Sequence, residues 1–394
     1  MQNISHPADS YWSQIKPFHF PALTRNAKSD VLVIGAGVVG LVSAYHLTKS
    51  GKKVIVVDAK DIGGGQTEFS TAHLTWVIDK RYAELKAEMG KTKARLILDS
   101  HKSAIDFLED IIRDEKIECD FKRVDGYLFS KGTKSKKKFE KELKVLHELG
   151  AAETELHAQL PKGFKGKGYC LRFPRQAQFH PLKFLNSLAQ YIVRNGGRIY
   201  SDTSICHIDS EKARTENGKE INAAQIVVAT LTPIQNIFPE LKAMSYRSYV
   251  IGIKIKKSQF PESLYWEDAQ PYHYVRTQPM RGRSHLLIIG GEDHKSGKND
   301  NEIIPFKKLK KWTLENIFLF KKIDYAWSGR IIASDDGLAF IGRSPSHKNI
   351  YLITGDSGNG ITYAAIAARI IHDSILNKKN DWADIYSPSR TKTK

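Results

Sequence analysis

Cysteine is scarce in this chain. Cys119, Cys170 and Cys206 are too few and too scattered for a disulfide framework or a four-cysteine metal site. None is spaced as Cys-x-x-Cys or Cys-x-His, which argues against an internal zinc, iron–sulfur or Rieske centre, and no metal site is expected. Long apolar runs are also missing: none reaches the roughly 18 residues that a membrane span needs. The first 25 residues show no basic stretch followed by an apolar core, so no secretory signal is read and a soluble, cytoplasmic protein is expected. There are no internal repeats and no low-complexity domain. The net charge is strongly positive, +18, yet no basic stripe is interleaved with aromatic residues as single-stranded nucleic acid would require. No nucleic-acid partner is therefore expected. The longest basic run, Lys131 to Lys138, reads as a solvated loop.

What is present is an ordinary globular composition over 394 residues, enough for two or three domains with a sizeable core. Residues 1–29, with prolines at 7, 17 and 21, read as an extended arm. Asp30 to Ile34 is a short apolar run ended by glycine, the pattern of a buried strand. Val38 to Ser50 reads as a helix closed by Gly51, and Lys53 to Val57 as a second buried strand. This β-α-β opening belongs to a parallel, doubly wound sheet. Further on, helices are predicted over about 92–115, 138–150, 181–195 and 361–376. Strands are predicted at 126–129, 198–201, 226–229 and 349–354, and 245–300 reads as an antiparallel sheet with one solvated or ligand-facing side.

Gly35-Ala36-Gly37-Val38-Val39-Gly40 has the form G-x-G-x-x-G. It follows a strand, opens a helix and precedes a strand ending at Asp58, 23 residues after Gly35, and that context is what a dinucleotide site requires. Gly35 permits the tight turn, Gly37 lets the backbone approach a pyrophosphate, and Gly40 lets helix and strand pack closely. The helix N-terminus offers free N–H groups to phosphate, and Asp58 an acceptor to a ribose hydroxyl. A second glycine cluster, Gly63-Gly64-Gly65, runs into Ser70-Thr71-Ala72-His73. A third, Gly355 to Gly360, lies between a strand and a helix near the C-terminus. A long ligand threaded past all three suits FAD better than NAD. A helix beginning at about Gly358–Ile361 would favour negative charge on the reduced flavin.

Together these pieces resemble the D-amino-acid oxidase, glycine oxidase and sarcosine oxidase family of FAD-dependent oxidoreductases. The resemblance runs over about residues 28–380. It is carried in order by Val33 to Gly40, the Gly63 to His73 loop, Gly126-Tyr127-Leu128, Ile226 to Thr230, and Trp327-Ser328-Gly329 with Asp336 to Gly342 leading into Gly355 to Gly360. Ser70 to Thr75, Arg123 to Phe129 and Gly290 to Lys295 are similar to a bacterial branch that often carries a C-terminal Rieske domain. The Cys-x-His pairs of such a domain are absent from this sequence, so the flavin part alone is expected.

The resemblance implies an α/β fold, α+β overall, in which a Rossmann-like FAD-binding domain (1–85, 165–240 and 325–394) is interleaved with a mixed-sheet substrate domain (86–164 and 241–324). It implies FAD contacts at Gly35, Gly37, Val38, Gly40, Asp58, Gly64, Gly65, Thr71, Ala72, Ala229, Gly329, Gly355, Gly358, Asn359, Gly360 and Ile361. The implied chemistry is oxidation of a C–N bond in a small amine or amino acid by hydride transfer to flavin N5, with hydrolysis of the imine. The electron acceptor is either oxygen or a separate acidic redox protein, for which the basic surface would be a docking face.

α-Amino-acid oxidases of this family usually carry an arginine just after the Trp-x-Gly piece, paired with the substrate carboxylate. Here Arg330 stands one position early and Ile331 fills the slot, so an amine, or an amino acid with its carboxylate away from the reacting carbon, is expected. Tyr272, Tyr274 and Arg276 share one face of a predicted strand and either line the pocket or face solvent. His73, in a Ser-Thr-x-His stretch, is a candidate for ring contact or covalent attachment, with an ordinary structural role as the alternative. Tyr274, Arg276 and His73 are the candidate catalytic residues. His294 is expected in a turn after the sheet.

Overall fold

Val31 to Ile34 are apolar without a break because both faces of their strand are covered. In the computed structural model, which describes residues 10–232, 243–297, 303–320 and 322–390, this strand spans Ala27–Ile34. It pairs in parallel with Val54–Val57 on one side and Glu220–Leu231 on the other. Val31 and Val33 enter the main core under the helices, while Leu32 and Ile34 face a second cluster with Ile208, Ala213 and Ile226. The parallel strands Arg198–Tyr200 and Ile350–Thr354 and the antiparallel strands Phe340–Arg343, Ile205–Asp209 and Lys212–Thr215 complete an eight-stranded sheet.

Seven helices occur among the described residues: α1 (Val38–Lys49), α2 (Tyr82–Asp114), α3 (Lys136–Glu148), α4 (Pro181–Arg194), α5 (Ile303–Asn316), α6 (Gly360–Ile375) and α7 (Ala383–Tyr386). Helix α1 packs on α6 and α4. The buried Ala364, Ala365, Ala367 and Ala368 of α6 keep its surface small where α1 lies against it. Helix α2 begins ten residues before its expected start. Its first N–H groups, Tyr82 and Ala83, are capped by the Glu142 carboxylate of α3 at 2.8 and 2.9 Å, and Gly90 (φ 82°) breaks it into two pieces.

A second, nine-stranded sheet is mixed. Its order is Tyr325–Ser334, Ala243–Lys256, Ser284–Lys295, His273–Pro279, Leu264–Glu267, Lys122–Lys131, Gly168–Gln178 and His73–Leu74, with Glu155–His157 on Gly168–Gln178. The expected antiparallel pairing within 245–300 is present, with Val250 opposite Gly290. Three strands from segments expected in the cofactor unit, His73–Leu74, Gly168–Gln178 and Tyr325–Ser334, hydrogen-bond in this second sheet instead. His294 lies on a strand rather than in a turn, because Ser284–Lys295 continues to pair with Ala243–Lys256 as far as Lys295. The run Lys131–Lys138 is not one solvated loop: Lys131 ends a strand, α3 begins at Lys136, and Lys138 pairs with Asp268 at 2.8 Å. Of the N-terminal arm, residues 1–9 lie outside the described residues. The following part is packed: Trp12 is fully buried and donates its indole N–H to Ser70 O at 2.7 Å.

The turn into α1 depends on Gly40, where a Cβ would lie 1.8 Å from Gly35 O. Gly40→Ala should destabilise the protein by about 3 kcal/mol or more, since backbone has to move. Gly51→Ala, at φ +80° but with nothing within 4 Å, should cost only about 1 kcal/mol. Urea unfolding of the two variants measures the difference, and equal losses would refute this packing.

Candidate active site

The parallel sheet brings the three glycine clusters to the carboxyl ends of its strands, where they border one cavity of about 650 Å³. At one end, Gly35 takes φ +110° and Gly37 is the cap residue of α1, with no side chain of its own to cap the helix. Gly65 also lines the cavity, and a Cβ there would meet nothing within 4 Å. Asp58 accepts the Ala36 and Lys60 N–H groups at 2.6 and 2.9 Å. Burial nevertheless raises its carboxyl above the usual range, with those two bonds opposing the rise. Thr67, absent from the predicted set, accepts the Val38 N–H at 3.0 Å.

Thirteen of the sixteen predicted cofactor residues line this cavity: Gly35, Gly37, Val38, Asp58, Gly65, Thr71, Ala72, Ala229, Gly329, Gly358, Asn359, Gly360 and Ile361. Gly40, Gly64 and Gly355 do not. Gly40 serves the helix–turn contact described above. Gly64 donates its N–H to Asp61 O in a tight turn. Gly355, at φ +73°, has the Phe340 ring 3.2 Å from where a Cβ would sit. At the start of α6 the Asp356 carboxylate, unanticipated from sequence, accepts the Gly358 N–H at 3.1 Å. Burial pushes it up to about 6.

Another wall comes from the second sheet and the segments joining its strands. Tyr272, Tyr274, Trp266, Ser248, His73, Asp79 and Asp293 all line the cavity. The Tyr274 ring lies over Gly290, where a Cβ would be 2.1 Å away, and its hydroxyl is hydrogen-bonded to Ser248 Oγ at 2.9 Å. His73 packs edge-on to Tyr274, with ring centroids 5.6 Å apart. Its Nδ1 is 3.0 Å from Thr71 Oγ1, while its Nε2 is buried without a hydrogen-bond partner. Burial first, then the neighbouring Arg276 charge, pushes this imidazole down to about 3, so it is neutral at working pH.

Arg276 is not a wall residue. It is fully buried, its guanidinium held by the carbonyls of Thr71 (3.2 Å), Ala72 (2.5 Å) and Phe179 (3.4 Å) and by the Gln278 side chain. Strand parity put it on the Tyr274 face, but the 70–73 loop covers it. It fastens that loop and Phe179 to its own strand. Arg330 lines the cavity near Gln66, which accepts its backbone N–H, and the Ile331 side chain lies 3.6 Å from a Cβ built on Gly358.

These residues fit a long dinucleotide. The glycines leave a cradle that side chains would fill, and a buried acceptor waits at the far end. The model of the DAO family, "FAD dependent oxidoreductase", matches residues 30–374. The chain belongs to the DAO family of FAD-dependent oxidoreductases. A Bacillus subtilis protein named for a Rieske 2Fe-2S centre, YhfW, is 31% identical over 97% of this chain and 75% of its own length. Gamma-glutamylputrescine oxidoreductase of Escherichia coli is 26% identical over 89% of this chain and 84% of its own. The crystal structure of glycine oxidase from Geobacillus kaustophilus superposes with a TM-score of 0.75 at 13% identity, covering 93% of this chain and all of that one. FAD is the cofactor of this DAO-family enzyme.

Gly37→Val should abolish flavin loading while the apoprotein stays folded, because the added side chain would occupy the approach to the pyrophosphate. Absorbance of the purified protein together with circular dichroism reads both. Gly360→Val places a Cβ 2.6 Å from Asp356 Oδ2. It should either prevent loading or lower the two-electron flavin potential by roughly 30 mV or more, about 1.4 kcal/mol. Full loading with an unchanged potential would show that the start of α6 does not act on the flavin.

Proposed function

We propose that this enzyme oxidises a carbon–nitrogen bond of a small amine or amino acid. Bound FAD would supply, at flavin N5, the acceptor for a hydride from the carbon next to nitrogen, and water would hydrolyse the resulting imine. The observation carrying this reading is the aromatic wall formed by His73, Tyr272, Tyr274 and Trp266, whose one imidazole is neutral. A neutral amine needs no strong base. It needs exclusion of water and a fixed orientation. The aromatic rings exclude water. His73 borders the cavity edge-on to Tyr274 and, being neutral, contributes shape rather than charge. Tyr274, tied to Ser248, limits how the substrate carbon can lie. The names of two relatives, glycine oxidase and gamma-glutamylputrescine oxidoreductase, support the same class.

The electron acceptor has two candidates. Oxygen is one. The other is a separate acidic redox protein, favoured by the +18 charge and by the likeness to a relative named for an iron–sulfur centre.

The test is a panel of amines and amino acids mixed with the FAD-loaded enzyme under nitrogen. At least one should bleach the flavin. If none does, the reading fails. Readmitting air and measuring peroxide, then repeating with a ferredoxin-type acceptor, separates the two acceptors. His73→Ala should lower the bleaching rate about 10- to 100-fold through lost orientation. Because the imidazole is already neutral, the wild-type rate should show no break near pH 6.5 that this substitution removes.

A further inference from the structure

The loop from Phe69 to His73 borders the cavity residue by residue, yet its carbonyls are held from behind. Phe69 O accepts the Trp327 indole N–H at 3.0 Å, and Ser70 O accepts the Trp12 indole N–H at 2.7 Å. Thr71 O and Ala72 O accept from the Arg276 guanidinium. All three donors are buried, and none of them lines the cavity. A trans peptide sends its N–H opposite to its carbonyl, so the Thr71 N–H points away from Trp12, to the cavity side of the loop. The Ser70 N–H is bonded to Thr67 O and the Ala72 N–H to Ser70 Oγ, both at 3.3 Å. The Thr71 N–H between them has no partner among the described residues. Trp12 comes to this loop from the N-terminal arm. Its ring stands edge-on to His180 at 4.9 Å, with the Arg276 guanidinium over it at 5.7 Å. The arm is fastened on either side: Tyr11 is edge-on to Tyr325 at 5.4 Å, and the Phe18 and Leu23 N–H groups donate to Asn186 Oδ1 (3.2 Å) and Thr203 Oγ1 (3.1 Å).

We propose that Trp12 positions the Ser70–Thr71 peptide, so that the Thr71 N–H meets the bound flavin and favours its reduced, negatively charged form. The inference depends on FAD as the cofactor and not on which substrate is oxidised. A peptide N–H fixed in advance in a site poor in water stabilises charge without having to reorient. A carbonyl turned the same way would oppose that charge. Trp12 decides between the two, because its indole is the donor that Ser70 O finds among the described residues. Without that donor a buried carbonyl is left unpaired, which is costly, and turning the peptide over relieves the cost by presenting the oxygen to the cavity. The next two carbonyls stay with Arg276 in either case. The loop cannot keep this shape by itself, since Ala72 sits at φ +54°.

The experiment compares two variants of the FAD-loaded enzyme with the wild type. Trp12→Phe keeps an aromatic ring against His180 and Arg276 and removes the indole N–H. Its two-electron flavin potential, read against reference dyes under nitrogen, should fall by about 30 mV, a tenfold loss of preference for the reduced flavin. Leu23→Ala loosens the same arm at its far end, where the side chain is buried with Ile208 and Ala213. It should lower the melting temperature and leave the potential unchanged, which separates a looser arm from the lost hydrogen bond. An unchanged potential in Trp12→Phe, or an equal fall in Leu23→Ala, overturns the proposal. A second measurement needs no variant. In FAD-loaded wild type labelled with 15N in threonine alone, the Thr71 amide should exchange with solvent about tenfold or more slowly than in an open chain. Exchange at the open-chain rate overturns the proposal, even where Trp12→Phe fails to hold FAD.

Discussion

One buried cation organises the far wall of the cavity. Arg276 carries its charge in the core with backbone carbonyls and an amide oxygen around it, over the Trp12 ring at 5.7 Å. Burying a guanidinium is costly unless its donors are satisfied, and here carbonyls from two other segments satisfy them. That requirement fastens His273–Pro279 to the 70–73 loop and to Phe179. It also holds Ala72 at φ +54°, a conformation that alanine seldom adopts unaided. His73 stays neutral chiefly through burial, with this neighbouring charge adding to the effect. The ring orientation, the free nitrogen and the aromatic contact with Tyr274 all follow from the same anchored loop.

The cavity therefore has two electrostatic characters. Where the glycines gather, the open ends of α1 and α6 present peptide N–H groups, and such ends favour negative charge. Asp356 holds the Gly358 N–H just ahead of α6, and Thr67 Oγ1 takes the Val38 N–H at the start of α1. Where the second sheet closes the cavity, tyrosines and two carboxylates favour positive charge. The join between the two sheets is where a reacting carbon would be presented to the cofactor.

Much of this was legible in the residues because strand, turn and helix follow one another within the glycine motifs. Gly35 to Gly40 and Gly358 to Ile361 needed no knowledge of distant partners. Where reading failed, the missing information was tertiary. Parity gave Arg276 the right face, yet nothing near it in sequence shows that Thr71, Ala72 and Phe179 roof it over. His294 was expected in a turn after the sheet, but it lies on the strand, which pairs as far as Lys295. The strand continues because Gly290 leaves room for the Tyr274 ring. Asp79 belongs to no periodic pattern, and its neighbours across the cavity are about two hundred residues away. Tyr325–Ser334 could be recognised as a strand, but its partner, Ala243–Lys256, could not.

The chain passes back and forth between the two sheets, and this has a bearing on how the protein comes to exist. The strand Ala27–Ile34 is made early, but its parallel neighbour Glu220–Leu231 lies nearly two hundred residues later, and Ile350–Thr354 later still. Much of the intervening chain builds the other sheet. Contacts of such long sequence separation close slowly, and an apolar strand edge stays open in the meantime. The nucleotide cradle is thus among the last parts to be completed. A newly made chain has to be kept from pairing with its neighbours before it can first hold FAD.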